Sequence, residues 1–310
     1  MHSTAPDPAG SPSGSSGLPF MVGAAFSFAV MSLLVKVVGQ GVPTMEVVFV
    51  RSVVTLALSW GMLRVRRKPV WGINRPLLLL RGGIGFLALS CFYYAVIHLP
   101  LADATVIQYT NPVFTAVMAA IFLGERMGSR EVGLGCLSLA GVVIMARPGF
   151  LFGGGTAGLD PLAVGIALVG AVLSGASYTI VRRLGRTDGS LVIVFYFSLV
   201  SVAASFPLML PAFRAPTSME WALLLGIGLF TQAGHTLLNV GLRRERAGRA
   251  MAVAYLQIVF AAGVAFLVLK EVPGPASWAG AGIIVVSTLL LSGTISAPVM
   301  PGAGGRSREE

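Results

Sequence analysis

Charge is what this sequence has least of: Lys, Arg, Asp and Glu make up only 11% of its 310 residues. Acids are the scarcer sign, 12 against 22 bases, with three histidines and two cysteines. Those shortages exclude whole classes of site. Of His2, His98 and His235, two stand outside the interior of any long apolar stretch, and Asp103 is alone near one. No His-Glu-x-x-His metal set, paired-aspartate site or Ser/His dyad can be assembled within the apolar stretches. Cys91 and Cys136 imply neither a disulfide framework nor a zinc site and read as buried apolar filler. Gly153, Gly154 and Gly155 lack a following Lys-Ser/Thr, so they read as a flexible linker rather than a phosphate cradle. Neither a metal nor a cofactor is expected.

What fills the chain instead is apolar: 55% of residues are hydrophobic and the mean hydropathy is +0.84, far above soluble domains of this size. Stretches of about 20 apolar residues, each long enough to cross a ~30 Å hydrocarbon core, recur along it. Ten are predicted, at 19–38, 43–63, 77–97, 102–123, 131–147, 161–182, 190–211, 219–240, 249–269 and 275–294. In lipid such segments must be helices, since no other partner exists for their backbone groups. The expected class is an all-α polytopic membrane protein. Residues 1–17 and 296–310 read as loose tails, the first rich in Pro, Gly and Ser, and nothing marks the first span as a cleaved signal.

The net charge of +10 is a topology signal and does not imply a nucleic-acid partner. With the N-terminus in the cytoplasm, the inner loops and tail collect sixteen Lys and Arg residues, including Arg64–Lys68, Arg182–Arg186 and Arg243–Arg249. The outer loops hold Arg147, Arg214 and Lys270. That asymmetry orients the chain, with both termini inside a plasma membrane, and requires an even number of spans.

The sequence also repeats itself. QYTNPVFTAVMAAIFLGE (108–125) returns as YLQIVFAAGVAFLVLKE (255–271). A shift of 146 aligns Ala104, Tyr109, Val113, Phe114, Ala116, Ala119, Leu123 and Glu125 with Ala250, Tyr255, Val259, Phe260, Ala262, Ala265, Leu269 and Glu271. Asn111 meets Gln257, keeping a primary amide. Span four thus falls on span nine, and a five-helix unit enters the membrane from opposite sides in its two copies. Inverted repeats of this kind suit alternating access. The repeats are expected at 18–148 and 161–295, joined by a linker at 149–160.

The stretch RGGIGFLALSCFYYAVIHLPLADATVIQYTNPVFTAVMAAIFLGE (81–125), with MEVVFVRS (45–52), resembles the first half of an EamA-type carrier of the drug/metabolite transporter superfamily. The likeness covers about residues 19–294. It implies ten helices around a central cavity and a small-molecule solute such as an amino acid, a nucleotide-like cofactor or a vitamin. The second half departs from the pattern: Ile258 replaces Pro112 and Lys270 replaces Gly124. If Pro112 kinks span four, span nine is expected to be straighter. Without an ATP-binding motif, energy is expected from a gradient. The alternatives are an intramembrane enzyme, for which the residues above supply no catalytic set, and a non-transporting scaffold or receptor.

Ionisable groups inside a membrane default to functional candidates. Arg51 lies about eight residues into span two; it either faces the cavity, gripping a carboxylate or phosphate, or is buried against helix carbonyls or Asp103. Glu46 is nearer the surface, as a cavity residue or as a hairpin lock with Lys36. Near mid-membrane, Gln108, Tyr109 and Asn111 answer to Tyr255 and Gln257, either to hydrogen-bond a solute or to join helices. His235 shares a helix face with Gln232; Tyr93, Tyr94, Tyr178 and Tyr196 are weaker candidates. Arg81 is expected to snorkel to the inner rim. Gly82, Gly83 and Gly85, Ala171 and Gly175, and Ser138 and Gly141 are expected where helices approach closely.

Overall fold

The computed structural model describes residues 16–39, 41–99, 101–125, 128–146, 151, 160–269 and 274–292. The tails before 16 and after 292, the glycine-rich linker, Arg126, Arg147, Lys270, Glu271 and the side chain of Asp103 lie outside the described residues. All regular structure among those described is helical: α1 (Leu18–Val38), α2 (Thr44–Val65), α3 (Arg75–His98), α4 (Leu101–Gln108), α5 (Asn111–Leu123), α6 (Ser129–Ala146), α7 (Pro161–Leu184), α8 (Ser190–Met209), α9 (Ser218–Arg244), α10 (Ala247–Ala254), α11 (Leu256–Leu269) and α12 (Pro275–Ser292), with a short 3₁₀ turn after α8. Eight passages are long and apolar enough to cross a membrane, counting α4–α5 and α10–α11 as one each. α6 and α12 complete the ten that the hydropathy pattern predicts.

The repeat governs where helices start and stop. Shifting α4 by 146 residues gives 247–254, the bounds of α10, and shifting α6 gives 275–292, the bounds of α12. Packing follows the same rule. α1 lies on α9 as α7 lies on α3, and α1 on α11 as α7 on α5, while α2 with α8 and α6 with α12 pair across the pseudo-symmetry relation. A repeat of five passages sends the second copy through in the opposite sense, so the fold is two inverted five-helix repeats.

Hydrophobic residues face outward because the surroundings are lipid: Leu87, Val117, Ile121, Phe122, Leu229 and Leu267 are all exposed. Inside, small residues bring backbones together without a hydrophobic driving force. A Cβ on Gly280 would sit 2.5 Å from the Gly141 carbonyl oxygen, and one on Gly175 2.7 Å from Phe114 Cβ. Gly82 meets Val200 at 2.7 Å, but Gly83 has open space and is not part of a close approach. Cys136 is exposed and Cys91 half-buried, so neither is the buried filler expected.

Loop ends are fixed by polar caps. Asp188 accepts the N–H groups of Ile73 and Asn74 at 2.7 and 3.3 Å, tying the α7–α8 turn to the entry of α3. Thr217 and Glu220 form a reciprocal capping box at the start of α9.

Candidate functional site

Both halves break their fourth passage at the same place. In the first, Pro112 has no N–H to give the carbonyl four residues back, so the helix stops at Gln108 and restarts at Asn111. The second half has Ile258 instead, and the straighter helix expected there is not found: α10 ends at Ala254 and α11 begins at Leu256. Ile258 N–H bonds the Tyr255 carbonyl at 3.1 Å, three residues back, which tightens the chain at that point.

The two breaks meet at the centre. Tyr109 and Tyr255 are repeat mates, and their ring centroids are 6.1 Å apart. Beside them is a cavity of about 50 Å³ lined by Phe28, Tyr109, Asn111, Tyr178, Gln257 and small or aliphatic residues of α1, α9 and α10. Pockets that hold metabolites typically reach ~300–1,000 Å³, so the cavity in this conformation is smaller than a metabolite needs. The restarting ends of α5 and α11 both arrive here, carrying the partial positive charge of a helix N-terminus. Tyr255 is 1% exposed and its hydroxyl has no partner. Gln108 gives its amide to Ser174 Oγ at 3.2 Å and leaves its carbonyl oxygen unpaired.

A second polar group lies behind Phe28. His235 packs edge-on against Phe28 and against Phe197, both centroids at 5.1 Å. Arg81 lies over the Phe197 ring, 4.0 Å from its centroid, and is 2% exposed with Nε and Nη1 unpaired. It does not snorkel. Proline at the start of α3 sets the helix going at Arg75, so Arg81 is almost two turns inside, beyond easy reach of the rim. Arg51 is 5% exposed with Nε unpaired. The hydroxyls of Ser198 and Ser201 on α8 and of Thr231 on α9 are also buried without partners among the described residues.

Other candidates make contacts with neighbouring elements. Glu46 is 1% exposed in the first turn of α2, where one carboxylate oxygen accepts the Arg214 backbone N–H at 3.2 Å and the other is unpaired; like Arg51 and His235, it is not part of the cavity wall. Lys36 lies in the last turn of α1. Gln232, which shares a face with His235, accepts from Ser59 at 2.9 Å and joins α9 to α2. Tyr178 proves to line the cavity, while Tyr93, Tyr94 and Tyr196 do not.

One ion pair was not legible in the sequence. Arg182, at the end of α7, binds Glu125 beyond the end of α5 and also donates to the carbonyls of Leu242 and Glu245 at the end of α9. Glu125 in turn accepts the Ala247 N–H at the start of α10, 3.0 Å away.

Two inverted five-helix repeats, broken at matching points around a polar centre, define a multi-pass membrane transporter. The chain belongs to the EamA-like transporter family, whose sequence model matches residues 15–147 and again 161–293. It is 34% identical over 280 residues to the pseudopaline exporter CntI of Pseudomonas aeruginosa, covering 90% of this chain and 96% of that protein. It is 30% identical to human solute carrier family 35 member G1, covering 88% and 78% of the two chains, and 25% identical to the S-adenosylmethionine uptake transporter of Rickettsia prowazekii, covering 85% and 87%. A protein of known crystal structure shares the fold with a TM-score of 0.80 at 19% identity, over 91% of this chain and 98% of that one. The chain is therefore a transporter of small molecules and not an enzyme.

Proposed function

We propose that the protein is a secondary transporter that binds a small metabolite of the amino-acid, vitamin or nucleotide-like kind at the centre of the bundle and moves it by alternating access. The observation that carries this reading is the meeting of the two helix breaks. Tyr109 and Asn111 come from one repeat, Tyr255 and Gln257 from the other, and the cavity between the halves is lined by Tyr109, Asn111 and Gln257. A solute hydrogen-bonded to both walls has its site remade when the halves exchange conformations, and it then faces the opposite side. Gln108, Arg51 and His235 complete the proposed set, with the termini on the cytoplasmic side of a plasma membrane.

Relatives named as exporter and as uptake transporter both resemble this chain, so the test must be blind to direction. Purified protein in proteoliposomes is loaded with labelled amino acids, S-adenosylmethionine or B vitamins, and exchange against the same unlabelled solute is followed. Exchange above protein-free vesicles for one of these, lost in Asn111→Leu and Gln257→Leu, supports the reading. Binding without exchange would instead make the protein a receptor.

A further inference from the structure

We propose that Arg81 joins Arg51 as a second counter-ion for the solute, and that the solute is consequently an organic dianion, two carboxylates or a carboxylate with a phosphate. This rests on the central cavity being the transport site. Two fixed guanidinium charges lie within the membrane-spanning helices, at 5% and 2% exposure, each with unpaired nitrogen. Neither is in an ion pair among the described residues with resolved acids. A buried ion without a partner is strongly unfavourable, and more so where the surroundings are hydrocarbon.

The fold itself does not ask for these charges. A shift of 146 carries Arg51 onto Phe197 and Arg81 onto Ile227, both buried and apolar. The same scaffold positions are thus filled in the second half by side chains that need no counter-ion. Arginine in the first half only is what a binding role predicts, since a solute is asymmetric even when its carrier is not.

Position agrees. Neither arginine is itself a wall residue; Arg81 lies behind the wall, over the Phe197 ring against which His235 packs. His235 in turn packs on Phe28, which lines the cavity. The N-terminal ends of α5 and α11 add partial positive charge from the tyrosine side. Every one of these groups favours an anion.

The test uses the full chain in detergent, with citrate, 2-oxoglutarate and L-glutamate as probes and putrescine as the cationic control, at matched ionic strength. At least one dicarboxylate is expected to raise the melting temperature of the wild type, and putrescine to leave it unchanged. Arg81→Met and Arg51→Met should each weaken that anion's apparent affinity about tenfold or more, the loss of one charge-assisted contact. Arg51→Met should also raise the melting temperature of the ligand-free protein, because an unpaired buried cation is replaced by an apolar chain of similar length, whereas Arg81→Met also gives up the contact with the Phe197 ring. Arg81→Lys, which keeps the charge and loses the fork, should retain part of the shift. A wild type indifferent to all three anions overturns the proposal, as does a shift that survives in the Met variants. A lower ligand-free melting temperature in Arg51→Met would mean that Arg51 neutralises an acid of the protein itself, and would equally overturn it. Failure of the transport reading is separate: anion shifts that depend on both arginines, with no exchange in vesicles, would leave the anion site standing and remove transport.

Discussion

Glu125 and Arg182, 57 residues apart, hold four helix ends together on one face of the bundle. The carboxylate closes on the guanidinium with one oxygen and on the first N–H of α10 with the other, while the guanidinium also takes the last carbonyls of α9. Glu125 follows the end of the first broken passage and Ala247 begins the second, while Arg182 closes α7 and Leu242 lies in the last turn of α9. A transporter that opens toward this face must separate these ends, so a latch on the unopened conformation is the role to test for this pair.

Glu125→Gln keeps the shape and removes the charge, weakening a partly buried, charge-assisted contact by about 1–3 kcal/mol. If the contact is a latch, the conformation open to that face gains population by roughly tenfold for each 1.4 kcal/mol. Cysteine substituted for Ala254 on the cavity wall would then be labelled from that side correspondingly faster than in the parent. Unchanged labelling beside a lower melting temperature would make the pair a structural clamp only.

Gly128 and Gly274 are repeat mates, both exposed, and a Cβ at either meets nothing within 4 Å. They suit a topology test because substitution disturbs no packing. Gly128→Cys is expected to react only with reagents on the cytoplasmic side and Gly274→Cys only from outside. Cysteines in the 64–75 and 182–189 loops should label from the cytoplasm and in 148–160 from outside. Labelling of both glycine positions from one side would sink the inverted arrangement.

Much of this was legible in the sequence because the membrane leaves few choices. Ten apolar runs had to be helices, and one shift of 146 residues, read from span four, holds for the bounds of α6 and α12 as well. The meeting of Tyr109 with Tyr255 follows from the same symmetry. What the sequence hid depends on partners distant in the chain. The break at Tyr255 has no proline to announce it, and Arg182 looks like one more basic residue of an inner loop until Glu125 is beside it. Arg81 was misread for a local reason: with the span counted from residue 77 it seems a turn from the rim, whereas α3 starts at Arg75 and carries it into the bundle. Its apolar repeat mate, Ile227, was the available clue.

Where α6 crosses α12, the two backbones touch through Gly141 and Gly280. A methyl group on Gly280 would fall 2.5 Å from the Gly141 carbonyl oxygen and 2.8 Å from Met145 N, with no flexible side chain to yield. Gly280→Ala is expected to force these helices apart and lower stability by about 1–3 kcal/mol, as overpacking does. Gly263→Ala on α11, where a Cβ has open space, is the control and should be unchanged. Equal melting temperatures for the two variants would mean that α6 and α12 do not pack this closely.

The central tyrosines provide the sharpest separation between binding and packing. Tyr255 has a buried hydroxyl without a partner, so Tyr255→Phe removes an unsatisfied polar group and should leave the ligand-free protein as stable or slightly more so. Its repeat mate Tyr109 lines the cavity, and Tyr109→Phe likewise keeps the ring contact of 6.1 Å. If each hydroxyl serves the solute, each variant loses one hydrogen bond, about 0.5–1.5 kcal/mol or a two- to twelvefold weaker affinity. Asn111→Leu and Gln257→Leu should weaken binding further, since each also puts an apolar group where the solute expects an amide. The four single variants are compared by solute affinity and by melting temperature in the same preparation. Affinity falling in variants from both repeats while the ligand-free melting temperature holds is the signature of a site shared between halves. Affinity unchanged with stability reduced would turn the polar centre into a packing device, because groups that only join helices contribute to the folded state whether or not a solute is bound.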